Sequence, residues 1–149
     1  MIREQPNTAE GDKTPRISII VASDRVDKLF PAVTLASTAA VMNWEAELFF
    51  TTWGLLALRR GHESSEVSSD YKIHEEELRR ALISGSMPGW REVLEEGKKT
   101  GRLRVYACST TMGLFNLNPG DLVEIVDDVV GAAYFLGRAK ESEVNLFIS

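Results

Sequence analysis

The residue in this chain with the clearest capacity for chemistry is Cys108, the sole cysteine among 149 residues. It closes the run Arg102-Leu103-Arg104-Val105-Tyr106-Ala107, which reads as a buried strand, and it precedes Ser109-Thr110-Thr111, residue types that favour helix N-caps. A thiol at such a junction faces unpaired backbone N–H groups and the positive end of a helix dipole. Both favour the thiolate, which is the reactive form. A lone cysteine is equally at home as a small buried hydrophobe, and the residues alone leave both readings open. With no second cysteine there is no intrachain disulfide, so any sulfur or redox chemistry at Cys108 involves a small molecule or another chain.

Other chemistries are poorly supplied. His62 and His74 both fall in the polar middle of the chain and read first as exposed, solubilising side chains. A Cys-His hydrolase would also need an oriented base and an oxyanion hole, which nothing in the sequence marks. One cysteine and two scattered histidines give no zinc spacing, so no metal is expected. Neither the P-loop pattern nor a G-x-G-x-x-G follows the first strand, and Ser23-Asp24-Arg25-Val26-Asp27 puts two acids where a phosphate would want glycine backbone. No nucleotide, flavin or other cofactor is expected.

The elements that must position Cys108 follow from periodicity. Met1 to Pro15 is polar, with Pro6, Gly11 and Pro15, and reads as a disordered tail. Residues 16–149 read as a single domain, which 44 % hydrophobic residues can supply with a core. Structure begins at Arg16, and Ile17 to Ala22 is a β-branched run without alternation, the pattern of a strand covered on both faces. Lys28 to Met42 is a helix with small residues on one side, its first turn marked by Pro31 and its end by Asn43. Glu45 to Thr51 is a second strand, and Leu55 to Arg60 a short helix ending at Gly61. Residues 61–88 are acidic and serine-rich: a surface loop from His62 to Asp70, then helical composition from Tyr71 to Ile83, form a variable excursion. Trp90, Val93 and Leu94 mark an amphipathic helix closed by Lys98, Lys99 and Gly101. After Cys108, Ser109 to Phe115 can open a helix, and Asn116 to Asp121 is a turn. Leu122 to Asp128 is ambiguous, Val129 to Ser142 carries a helical apolar set, and Val144 to Ile148 is a last strand.

This alternation predicts an α/β sandwich with a mostly parallel sheet of about five strands. Ligands in such folds bind outside the carboxyl ends of the strands, near a switch point in strand order. The loops expected there supply Ser23, Asp24, Thr52, Trp53, Ser109, Thr110, Thr111 and Met112 as pocket lining around Cys108, with Asp127 and Asp128 close by. Trp53 reads first as packing, and the acidic pair first as a solvated surface. A net charge of −5 argues against nucleic acid, which requires a basic face. No stretch approaches the roughly 20 apolar residues of a membrane span, and no signal peptide is recognisable, so a cytoplasmic location is expected.

Several segments resemble DsrE/DsrF-like proteins, the relatives of DsrE/DsrF/DsrH and TusB/TusC/TusD. They are IIVAS with the alanine-rich helix after it, FFTTWGLLAL, VLEEGKKTGRLRVYACS and GAAYFLGRAKESEVNLFIS. The likeness is greatest to the branch labelled peroxiredoxin-like or DsrE-type. That branch is typically rich in glycine and methionine where residues 61–88 here are acidic and serine-rich, and this chain reads CSTTMGLF after its third strand. The resemblance implies a three-layer α/β/α fold with five parallel strands, with a short strand inside Leu122 to Asp128, and homo-oligomers, commonly trimers or hexamers. It implies sulfur trafficking, a sulfur relay in which Cys108 accepts sulfane sulfur as a persulfide and exchanges it with a TusA-like carrier, a sulfurtransferase role rather than a stand-alone enzyme. A thiol redox sensor or peroxidase, and a non-enzymatic oligomeric module, are the alternatives.

Overall fold

The computed structural model describes residues 13–149. The loose tail expected over Met1 to Pro15 therefore lies outside the described residues as far as Asp12. From Lys13 onward the chain is held, since Lys13 Nζ donates to the Glu141 carbonyl and the Pro15 carbonyl accepts from the Glu45 N–H.

Five strands form one parallel sheet: β1 (Arg16–Val21), β2 (Glu45–Phe50), β3 (Leu103–Cys108), β4 (Asp128–Val130) and β5 (Val144–Ile148), in the order β4-β3-β2-β1-β5. The chain steps outward from β1 to β4 and then crosses back to pair β5 with the other edge of β1. Right-handed crossovers send the first connections over one face and the return over the opposite face. Accordingly α1 (Val26–Val41) and α3 (Trp90–Lys98) pack together on one side, where Leu29, Val33, Ala36, Leu94 and the β-residues Ile19, Leu48, Phe50 and Val105 make the main core. The other side carries α5 (Ala132–Ala139), whose Phe135 stacks on Phe49 with ring centroids 4.8 Å apart. Strands buried from both sides explain the absence of polar alternation in β1 and β2.

The sequence expectations hold for the sheet, for the strand ending at Cys108 and for Asn43, which closes α1 in the left-handed region at φ 66°. Four details differ. Pro31 sits at the sixth position of α1 and not in its first turn: burial of Val26 and the anchoring of Asp27 by Ser68 start the helix earlier, at the cost of the one bond Pro31 cannot donate. Thr52–Leu58 is a 3₁₀ helix rather than an α-helix over Leu55 to Arg60. The short strand lies at Asp128–Val130, at the very end of the ambiguous segment. The helix expected from Val129 begins only at Ala132, because Val129 and Val130 are taken into the sheet opposite Ala107 and Cys108.

Residues 61–88 contain a 3₁₀ turn at Ser69–His74 and α2 (Glu75–Ser84), none of whose residues is fully buried. The segment is fastened to the start of α1. Asp27 accepts from the Ser68 N–H and hydroxyl, the Val26 N–H donates to the Glu66 carbonyl, and Trp90 Nε1 donates to the Ser64 carbonyl. Burial pushes the Asp27 carboxyl up, but the two Ser68 bonds outweigh it and hold the group below its ordinary value.

The closest helix contact passes over Gly97, where an added Cβ would lie 2.3 Å from Ser37 Oγ and 3.0 Å from Leu103 Cδ1. Gly97→Ala should therefore force α1 and α3 apart and cost about 1–3 kcal/mol in urea unfolding, as overpacking of a filled core does. An unchanged midpoint would show that this contact is slack.

Candidate functional site

The register of the sheet decides what surrounds the thiol. Phe50 pairs with Ala107 and Val130 with Cys108, so Thr51, the first residue after β2, lies beside the last residue of β3. Cys108 is also the N-cap of α4 (Ser109–Leu114). Its side chain joins Phe49, Val130 and Phe135 on the α5 side of the sheet, and the residue is 5 % exposed, while Ser109 and Thr110 just beyond it are open to solvent.

Three threonines organise this corner. Thr111, buried in the first turn of α4, accepts the Thr52 N–H at 3.0 Å on its hydroxyl oxygen and shares a 3.3 Å hydrogen bond with the Thr51 hydroxyl. Burial pushes the Cys108 thiol up. The hydroxyls of Thr111 and Thr51 and the N–H groups of Thr111 and Thr110 outweigh it, and the thiol is held below its ordinary value. The N–H of Thr52 can reach Thr111 because Thr52 adopts φ 46°, a conformation that a β-branched residue rarely takes and that stores roughly 1–3 kcal/mol of strain. The Thr52 hydroxyl donates to the Ala22 carbonyl, and Gly54 follows so closely on β1 that a Cβ would sit 2.2 Å from the Val21 carbonyl oxygen. The loop after β2 is thus clamped between β1 and α4, with the thiol at its edge.

Of the residues expected to line the site, Thr110 and Thr111 meet Cys108, and Thr52 is joined to it only through Thr111. Ser109 is at the surface, 3.6 Å from where a Gly131 Cβ would be. Met112, the second buried position of α4, belongs to the main core. Ser23 accepts the Arg25 N–H in the turn after β1, and Asp24 pairs with His62 Nε2 at 3.1 Å. His62 is thus drawn to the carboxyl end of β1 rather than left free in solvent. Trp53 is 60 % exposed and leans on Phe115 with ring centroids 5.9 Å apart. Asp127 and Asp128 are not at this edge. Asp128 begins β4 opposite Tyr106, two residues before Cys108, and Asp127 just ahead of it accepts the Val105 N–H and pairs with Lys98. The switch in strand order falls between β1 and β5, so Cys108 on β3 lies away from it, contrary to the usual placement of ligands in open α/β sheets. Thr51 and Gly54 were not singled out by the sequence. Their one signal was position, immediately after a strand that the register sets beside the cysteine.

Among the described residues no three His, Cys, Asp or Glu side chains are gathered to hold a metal ion, and no helix is long and apolar enough to cross a membrane. The chain matches a family model described as the DsrE/DsrF/DrsH-like family over residues 13–86 and 73–147. It is 27 % identical to the uncharacterised protein YrkE of Bacillus subtilis, over 92 % of this chain and 99 % of that protein. It is 26 % identical to the sulfur carrier protein DsrE2 of Allochromatium vinosum, over 89 % of this chain and 98 % of that protein. Two solved structures share the fold. The Escherichia coli ychN protein has a TM-score of 0.63 at 14 % identity, covering 91 % of this chain and 99 % of that one. Protein MTH1491 of Methanobacterium thermoautotrophicum has a TM-score of 0.57 at 19 % identity, covering 89 % and 98 %.

The threonine network makes a direct prediction. Thr111→Val keeps the shape of the corner but removes its hydroxyl, so the Cys108 pKa should rise and the midpoint of the alkylation rate against pH should move to higher pH. Thr52→Gly keeps the N–H that Thr111 accepts, so it should leave that midpoint in place. A Thr111→Val profile that overlays the wild type would remove the hydroxyl from this role.

Proposed function

Because the chain belongs to the DsrE/DsrF/DrsH-like family, we propose that it is a sulfur carrier that holds sulfane sulfur as a persulfide on Cys108. The observation that carries this reading is a strand-end thiol held below its ordinary value by the hydroxyls of Thr111 and Thr51 and by two backbone N–H groups. The relative named a sulfur carrier protein supports it.

The chemistry needs only one cysteine. The Cys108 thiolate attacks the outer sulfur of a donor persulfide, R–S–S⁻; the donor's S–S bond breaks, R–S⁻ leaves, and Cys108 becomes Cys–S–S⁻. An acceptor thiolate then attacks that outer sulfur, and Cys108 departs as thiolate. Each transfer reduces one persulfide and forms another, so no external oxidant is required. The donors around the sulfur that favour the thiolate equally favour it as leaving group. Such exchange requires thiols kept reduced, which suits the cytoplasm.

The partner in this reading is a TusA-like carrier that presents its own thiol at the carboxyl edge of the sheet. Exposed Trp53 and Leu114, with Phe115 beneath Trp53, give that partner an apolar surface to dock on. The chain itself forms homo-oligomers, a trimer or hexamer, through the groove between α5 and the β1–β5 edge. There Phe147 is 65 % exposed beside equally open Leu136.

Incubation with thiosulfate, polysulfide or a persulfidated donor protein should add the mass of one sulfur atom to the intact chain, removable by reductant and absent from Cys108→Ser. Identical spectra for wild type and Cys108→Ser with every donor would refute the proposal. Leu136→Lys should lower the mass measured by light scattering; an unchanged mass would place self-association elsewhere.

A further inference from the structure

The sheet treats its two edges in opposite ways. β4 is only three residues long, opens on Asp128 and follows Asp127, which is paired with Lys98. A short strand and charge are what keep a sheet edge from pairing with another chain. β5 has neither protection. The run Val144-Asn145-Leu146-Phe147-Ile148 holds no charge and no proline, and it pairs with β1 residue for residue, without a bulge. Among the described residues β1 is its only neighbour in the sheet.

One hydrogen bond fixes where the polar groups of β5 point. The Ala22 N–H donates to the Ile148 carbonyl, so the backbone of Ile148 is turned toward β1. Both groups of a strand residue point the same way and those of the next residue the opposite way. Leu146 and Val144 therefore also face β1, and Asn145 and Phe147 each present an N–H and a C=O at the open edge. Side chains line that edge with apolar surface on both faces. Val144, Leu146 and Ile148 are half-buried against the core on the α1 side, and Phe147 stands exposed on the α5 side beside Leu136.

We propose that β5 pairs antiparallel with β5 of a second copy, about a two-fold axis at Leu146, so that two sheets become one. In this register Asn145 of each copy lies opposite Phe147 of the other, and the two exchange N–H and C=O groups, giving about four hydrogen bonds across the axis. Every open donor of the strand meets an acceptor. The side chains suit the same register: Leu146 faces Leu146 and Val144 faces Ile148 on one side of the sheet, and on the other the two Phe147 rings lie diagonal to each other. No charged residue of either strand is brought into the contact. The pairing deepens the self-association proposed above, on which it rests, and is independent of the chemistry of Cys108. It also chooses between the two assemblies, because a trimer has no two-fold axis and a hexamer built from two trimers does.

Light scattering of the full chain should give an even number of copies. Asn145→Pro removes an N–H from the open edge and leaves the side of β5 that meets β1 intact, so it should halve the mass, whereas Asn145→Ala, which keeps that N–H, should not change it. Cross-linking in the Cys108→Ser background reads the register. At a non-hydrogen-bonded position on the axis, the two Leu146 Cα atoms would lie about 4.5 Å apart, within disulfide reach. Oxidation of Leu146→Cys by diamide should therefore give a disulfide-linked dimer, and Asn145→Cys, opposite Phe147, at least tenfold less. An odd number of copies, an unchanged mass for Asn145→Pro, or cross-linking through position 145 and not 146 would each overturn the pairing. If Asn145→Pro keeps its mass while Leu136→Lys loses it, the groove reading stands and the edge pairing alone fails. A monomeric wild type would overturn both and leave the edge to a strand of another protein.

Discussion

The in-register parallel pairing of β2 with β3 is the constraint on which the corner around Cys108 depends. Because Phe50 meets Ala107, the residue that leaves β2 and the residue that ends β3 emerge side by side. Shifting the pair by one residue would turn Cys108 to the opposite face of the sheet and separate Thr51 from it. Everything else at the site is arranged around that coincidence. Gly54 lets the loop return onto β1, Thr52 accepts an unfavourable backbone conformation, and Thr111 receives its N–H while touching the sulfur. Thr51 and Thr111, which hold the loop to α4, are thus also the residues whose hydroxyls bias the thiol toward its charged form.

Much of this was legible in the sequence, and the reasons are physical. β1 and β2 announced themselves because strands buried on both faces are continuous apolar runs, and the helix before β3 because Trp90, Val93 and Leu94 share a face. The end of a strand, and so the exposed edge of a parallel sheet, can be read from such runs. Cys108 was placed correctly on that basis. Which face a short segment serves cannot be read so easily. Val129 and Val130 fit a helical spacing as well as a strand, and pairing with Ala107 and Cys108 decided the matter. Met112 was expected at the site and belongs to the core for the same reason: in a six-residue helix, one position more or less changes the side it faces.

The polar residues divide along a similar line. Thr52 and Thr111 could be proposed from composition because they flank strand ends. The joining of Asp24 to His62 links residues 38 apart in the chain and depends on how the excursion after β2 folds back onto α1. Glu47 gave no warning at all, since its neighbours Ala46 and Leu48 are buried and a strand of this kind normally excludes a carboxylate. Its burial becomes intelligible only with Arg138 arriving from α5, ninety-one residues later in the chain.

The helix that delivers Arg138 also sets a limit on the molecule as a whole. Five strands spaced about 4.8 Å apart make a sheet close to 20 Å wide, whereas a single helix with its side chains is about 10–12 Å across. On the α1 side two helices share that width; on the α5 side one helix of eight residues lies along the middle. Roughly half of that face is therefore beyond the reach of the chain's own secondary structure, whatever side chains it carries. The two margins have been filled in opposite ways, one with Phe147 and Leu136, the other with charge. A fold whose five strands are all joined in one sheet is in this sense unfinished in its layering, and its two open margins differ in chemistry.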